Sequence, residues 1–106
     1  MSGESVGSEL FERLADQALS EPDVARGTMM GFPCLRVKDA YFASLDSKTG
    51  GLVLKLSRAR VNEIIDEGIG LPFAPNGRVF KEWVLLPDVT SWQGLLGEAM
   101  EFVRNA

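Results

Sequence analysis

Arg78-Val79-Phe80-Lys81-Glu82-Trp83-Val84-Leu85-Leu86-Pro87 is the strongest strand signal in the chain. It follows the turn-forming Pro75-Asn76-Gly77 and stops at a proline. Alternation predicts Phe80, Glu82, Val84 and Leu86 on one face and Val79, Lys81, Trp83 and Leu85 on the other. Apolar residues on both faces predict a central strand, covered on both sides towards its end.

On the C-terminal side, Pro87-Asp88 breaks the strand, and Thr90 with Gln93 matches a capping box. The last helix is predicted over Ser91 to Arg104, with Leu95, Leu96, Ala99, Phe102 and Val103 as its apolar stripe. Gly94 and Gly97 weaken it by roughly 1 kcal/mol each relative to alanine, unless they allow close packing. On the N-terminal side, the Gly/Pro-rich connector 68–77 is expected to tuck Ile69, Leu71 and Phe73 onto the core. A helix from Arg58 to Glu67 precedes it, capped by Ser57, buried through Val61, Ile64 and Ile65, and stopped by Gly68. Arg58 and Arg60 in its first turn, with Asp66 and Glu67 in its last, oppose the helix dipole. Tertiary packing must therefore hold this helix, and its two arginines lie beside free backbone N–H groups that attract anions.

Further back lies an antiparallel meander. Its strands are Cys34–Lys38, Tyr41–Leu45 and Leu52–Leu56, joined by a short turn at Lys38-Asp39-Ala40 and a loop at 46–51. Residues 23–31 become extended near Thr28-Met29-Met30, before Gly31-Phe32-Pro33 interrupts the run. A first helix is predicted from an N-cap at Ser8 to Glu21, apolar through Leu10, Phe11, Leu14, Ala15, Ala18 and Leu19. Pro22 ends it. Residues 1–7 read as a disordered lead-in, and 8–106 as a single α+β domain: an antiparallel sheet with helices packed on it, in the order α-β(3-4)-α-β-α.

The composition excludes several chemistries. There is no histidine, which removes the commonest general base and metal ligand. One cysteine permits no intrachain disulfide and argues against a structural zinc site. A lone thiol behind a polar, acidic N-terminus fits a reducing cytoplasm. No apolar run approaches the roughly 18 residues of a membrane span. The net charge of −4 is uneven: residues 36–81 hold eight Lys/Arg against five Asp/Glu, and the flanks are acidic. Such a division can mark a surface for an anionic partner, or reflect only that the sheet carries Lys and Arg while the helices carry Glu.

Cys34 lacks a histidine to activate it and reads as a small core residue. Asp39, Asp46, Asp66, Glu67 and Asp88 fall at turns and helix ends, where turn chemistry explains them. Gly50-Gly51 and Gly68-Ile69-Gly70 match no phosphate-binding fingerprint. The candidate binding residues are Lys55, Arg58, Arg60, Arg78 and Lys81, with Trp83 as a stacking surface on the Lys81 face. They share a face if the final strand pairs with Leu52–Leu56. The alternative is a solvated face with Trp83 packed under the last helix.

Met30-Gly31, Val37, Phe42-Ala43, Leu54-Lys55-Leu56, Arg60, Pro72-Phe73, Gly77-Arg78, Trp83 and Leu86-Pro87 occur in an order that resembles the N-terminal domain of TfoX/Sxy competence regulators. The meander from Phe42 to Leu56 is also similar to MmcQ/YjbR-type domains. The resemblance covers roughly residues 9–104. It implies a small secretion-chaperone-like α+β domain with a regulatory or DNA-associated role and no catalytic residues. Full-length family members carry a second, C-terminal helical domain.

Together these readings predict a non-enzymatic cytoplasmic module that acts through a protein partner, with no cofactor and no metal. The alternative is a nucleic-acid- or anion-binding protein that uses the basic sheet face, against which the net negative charge weighs. A homodimer through the sheet or the last helix is compatible with the sequence, which does not demand it.

Overall fold

The computed structural model describes residues 4–29 and 31–106. Helix α1 (Glu4–Ala18) leads into strands β1 (Val24–Met29), β2 (Phe32–Val37), β3 (Ala40–Asp46) and β4 (Gly51–Lys55), an antiparallel meander. Helix α2 (Arg58–Asp66) follows, then a two-residue strand β5 (Leu71–Pro72) and strand β6 (Trp83–Leu86). A 3₁₀ turn (Val89–Ser91) opens into helix α3 (Trp92–Arg104). The six strands form one sheet in the order β1-β2-β3-β4-β6-β5, so β6 lies between β4 and β5. The class is α+β, an antiparallel sheet with helices packed on it. The element order departs from the expected one by the added strand β5.

The helices cover one face of the sheet. Leu35, Val37, Ala43, Leu45, Leu52, Leu54, Val84 and Leu86 from the strands join Phe11, Leu14 and Ala15 of α1, Val61 and Ile64 of α2, and Trp92, Leu96, Ala99 and Val103 of α3 in one core. These positions recur at period 2 along the strands and at period 3.6 along the helices, which is why the two element types meet here. Trp92 is the largest side chain in that core, fully enclosed, and its indole N–H donates to the Leu86 carbonyl at 3.0 Å.

Local chemistry sets the connections. Lys38 and Asp39 both have positive φ, +50° and +66°, giving a two-residue β2–β3 turn of the type that matches strand twist. Ser57 caps α2 through a 3.1 Å bond from the Arg60 amide, a contact worth about 1 kcal/mol. Gly68, at φ +77°, ends the helix. The amides of Gly68 and Ile69 donate to the Ile65 and Ile64 carbonyls, satisfying the last turn.

Several expectations are corrected. The strand predicted over 78–87 is confined to Trp83–Leu86. Its partner β4 ends at Lys55, paired with Trp83, because Ser57 already caps α2. Arg78–Glu82 therefore have no strand to pair with, and the Phe80 amide bonds instead to the Phe73 carbonyl. The connector does not tuck Ile69 and Leu71 inward: both are exposed, and only Phe73 is half-buried. The Thr90/Gln93 capping box is absent. Asp88 accepts from the Thr90 amide at 3.0 Å and caps the 3₁₀ turn, while Ser91 makes no side-chain cap bond. That bond also holds the Asp88 carboxyl below the usual range. The first helix begins at Glu4, so residues 4–7 belong to it rather than to a lead-in, and Ser8 is not its cap. Gly7 makes this possible: a Cβ there would sit 2.7 Å from the Gly50 carbonyl oxygen. Residues 1–3 of the expected lead-in, and Met30 of the expected extended segment, lie outside the described residues.

One ion-pair cluster ties the two ends of the fold together. Arg104, in the last turn of α3, donates from Nε and Nη2 to both Asp23 oxygens at 2.8 Å each, just before β1 begins. It also reaches Glu21 and Glu101. The Arg104 hydrogen bond holds the Asp23 carboxyl below its ordinary value. A folded-state pKa below the unfolded one means stability that is complete above the ordinary carboxylate value. It is lost as pH falls through the folded value. We therefore expect Arg104→Met to lower the urea midpoint at neutral pH, and the gap to wild type to close below about pH 4. A gap of unchanged size in strong acid would mean that Arg104 acts by packing alone.

Candidate functional site

The second face of the sheet carries the alternate residues. Cys34 pairs with Ser44, Ser44 with Val53 and Val53 with Leu85, a row that crosses four strands. Lys55 pairs with Trp83 in the next row on this face. The row stands apart from the helix-side core and is partly roofed by residues 73–82, which loop from β5 back to β6. Phe73 and Phe80 close that loop, their ring centroids 5.8 Å apart and tilted by 49°.

Between loop and sheet lies a cavity of about 410 Å³. Its floor is Val53, Leu85 and Ser44; Phe32, Phe73, Phe80 and Trp83 form its walls. Ser44, only 3% exposed, donates its hydroxyl hydrogen to the Pro33 carbonyl at 3.3 Å. The polar end is the β3–β4 hairpin loop, with Asp46, Lys48 and Thr49, faced by Asn76. Asp46 accepts from the Lys48 amide at 3.1 Å and from the Thr49 hydroxyl at 3.0 Å, and that hydroxyl in turn accepts from the Gly51 amide. This end of the cavity is thus fixed by its own hydrogen bonds.

The predicted cations separate into four places. Lys55 lies on the open face, 2.9 Å from Glu82 and 5.5 Å above the Trp83 ring. Arg60 turns the other way and is clamped by Glu98 at 2.6 Å and Glu63 at 3.0 Å, which raise its pKa. The Glu98 pair ties α2 to α3 and offsets the unfavourable charge at the head of α2. Arg58 and Lys81 line a shallow groove between α2 and the loop, with Val61, Ile65, Val79 and Phe80. Arg78 is exposed in the loop and lines neither hollow. The five cations therefore do not form one patch.

Trp83 is half-buried beneath Lys55 and lines both hollows; it does not pack under the last helix. Trp92 takes that core position. Cys34 is buried, and burial pushes its thiol pKa up, which leaves it a poor nucleophile. Among the described residues no three His, Cys, Asp or Glu side chains are grouped as metal ligands, and no helix is long and apolar enough to cross a membrane.

Sequence reasoning missed the cavity. Its walls come from Phe32, read as part of an interruption, and from Phe73 and Phe80, which flank the Pro75-Asn76-Gly77 turn. Two phenylalanines facing each other across a turn were the available signal for a closed loop. Among the described residues the exposed large apolar side chains, Ile69, Leu71 (51%), Val79 (50%) and Phe80 (40%), all fall in the segment between α2 and β6. No family model, curated protein or solved structure matches the chain.

Proposed function

We propose that this chain is a non-enzymatic regulatory module of the cytoplasm that binds a protein partner through the apolar edge around β5. The carrying observation is that Ile69, Leu71, Val79 and Phe80 are all exposed in the short segment around the edge strand β5. Apolar side chains grouped in this way mark interaction sites. β5 has two residues, one of them a proline without an amide hydrogen, so it offers little for strand addition. The contact is therefore made by side chains. Arg58 and Lys81 flank it without ion pairs among the described residues, which suits a partner with an acidic rim. The short motifs shared with the TfoX/Sxy N-terminal domain support a regulatory role, and a single buried thiol suits a reducing compartment.

The test is the double variant Leu71→Asp/Val79→Asp. Both positions are exposed, so the melting temperature should stay within a few degrees of wild type. Partner binding should fall by about thirtyfold or more, the size of a lost interface hot spot. Sedimentation of the isolated chain decides whether the partner is a second copy. Full retention of partner by the double variant sinks this reading.

A second reading, binding of a nucleic acid or another anion, is favoured by Arg58 and Lys81 sharing one groove beside Trp83. Lys55 and Arg60 contribute less, since carboxylates already neutralise them. On this reading Arg58→Glu/Lys81→Glu removes single-stranded DNA binding and flattens its salt dependence. An unchanged salt slope rejects it.

A further inference from the structure

We propose that the cavity on the open face of the sheet is a binding site for a small planar aromatic carboxylate. Three observations converge on that class. The volume, about 410 Å³, falls in the range of small-molecule sites. The lining is rich in aromatic rings, with Phe32 from β2, Phe73 and Phe80 from the loop and Trp83 from β6, above a floor of Val53 and Leu85. A flat ring system fills such a slot with stacked and edge contacts. The third observation is the charge at the rim.

The rim carries one carboxylate and one ammonium, and only the carboxylate is engaged. Asp46 spends one oxygen on the Lys48 amide and the other on the Thr49 hydroxyl. The Lys48 ammonium makes no ion pair among the described residues, and Asn76 adds an amide to the same lining. The unspent capacity at this end is thus a positive charge and an amide donor, which an anionic oxygen pair satisfies. An aliphatic acid would leave the aromatic walls poorly filled. A neutral aromatic molecule would leave Lys48 unpaired.

This site adjoins the β5 edge without coinciding with it: Pro72 and Phe80 line the cavity, but Leu71 and Val79 do not. Phe80 lines both hollows, so an occupied cavity would hold the loop that presents the edge.

The experiment uses 2-naphthoate as the probe and 2-naphthalenemethanol as its neutral counterpart, followed by saturation-transfer NMR and by tryptophan emission. Trp92 is sealed in the core, so quenching reports Trp83 and should vanish in Trp83→Phe. We expect saturable binding of 2-naphthoate, about tenfold or more tighter than the alcohol, because only the acid forms a charge-assisted bond. Lys48→Glu should remove that preference without changing the melting temperature, since Lys48 is exposed. Val53→Phe, checked for folding by its melt, should exclude both molecules. Leu71→Asp/Val79→Asp should leave binding intact, so the failure of one proposal is separable from the failure of the other. Absence of saturable binding up to about 1 mM overturns the site. Equal affinity for acid and alcohol, or indifference to Lys48→Glu, overturns the carboxylate assignment. Indifference to Val53→Phe places the probe elsewhere and overturns the site as well.

Discussion

Trp92→Ala should destabilise the fold by about 3–5 kcal/mol, the cost of emptying a large, fully buried aromatic site. The indole sits where the head of α3 meets the sheet and the N-terminal turn of α1. Its ring would lie 3.3 Å from a Cβ added at Gly7, and its N–H satisfies the carbonyl of Leu86 at the end of β6. Removing it opens a cavity and also deletes a buried hydrogen bond to the Leu86 carbonyl. Trp92→Phe separates the two effects: most of the packing remains, and loss of this one hydrogen bond should cost about 1 kcal/mol. Urea denaturation of both variants measures this directly. A loss below about 1 kcal/mol for the alanine variant would mean that α1 and α3 collapse onto the vacated space.

Gly70→Ala is expected to be the next most damaging change, at about 1–3 kcal/mol, and for the opposite reason. Gly70 is buried where the chain passes from α2 to β5. An added methyl carbon would lie 2.7 Å from a Val84 methyl, 2.9 Å from an Ile64 methyl and 3.2 Å from the Leu85 carbonyl oxygen. Val84 and Ile64 are enclosed and β-branched, with little room to turn aside. The methyl therefore pushes α2 away from β6. Val84→Ala in the same background removes the nearer of the two methyls, so it should cost less there than it does in the wild type. A melting temperature equal to wild type in Gly70→Ala would show that this junction has slack.

Helix and sheet chemistry made much of this legible in advance. Leu35 and Val37, Leu52 and Leu54, and the α2 pair Val61 and Ile64 all lie in the core that their periodicity predicts. The Ser57 cap and the Gly68 stop are local devices, and local devices are written in local sequence. What failed was non-local. Val79 and Phe80 look like strand residues, but a strand exists only where a partner runs beside it, and β4 turns into α2 before reaching them. Ile69 and Leu71 look like core residues, yet Gly70 between them takes the buried position because only a residue without a side chain fits there. Trp92 lay outside the predicted stripe because that stripe began at Leu95. Its spacing to Leu96, Ala99 and Val103 is the helical one and would have revealed it. Of the five candidate cations, Lys55 and Arg60 found acidic partners 27 and 38 residues away, which no local pattern predicts.

The position of β6 between β4 and β5 also dictates an order of assembly. During synthesis β5 emerges before the strand that attaches it to the sheet, so it has nothing to bind when it appears. The meander β1–β4 can pair as it is made, but its β4 edge stays open until Trp83–Leu86 arrive. Nascent chains stopped short of β6 thus present Leu52 and Leu54 on an unfinished sheet, where edge-to-edge aggregation begins. The last third of the chain is the part that makes the rest safe to release.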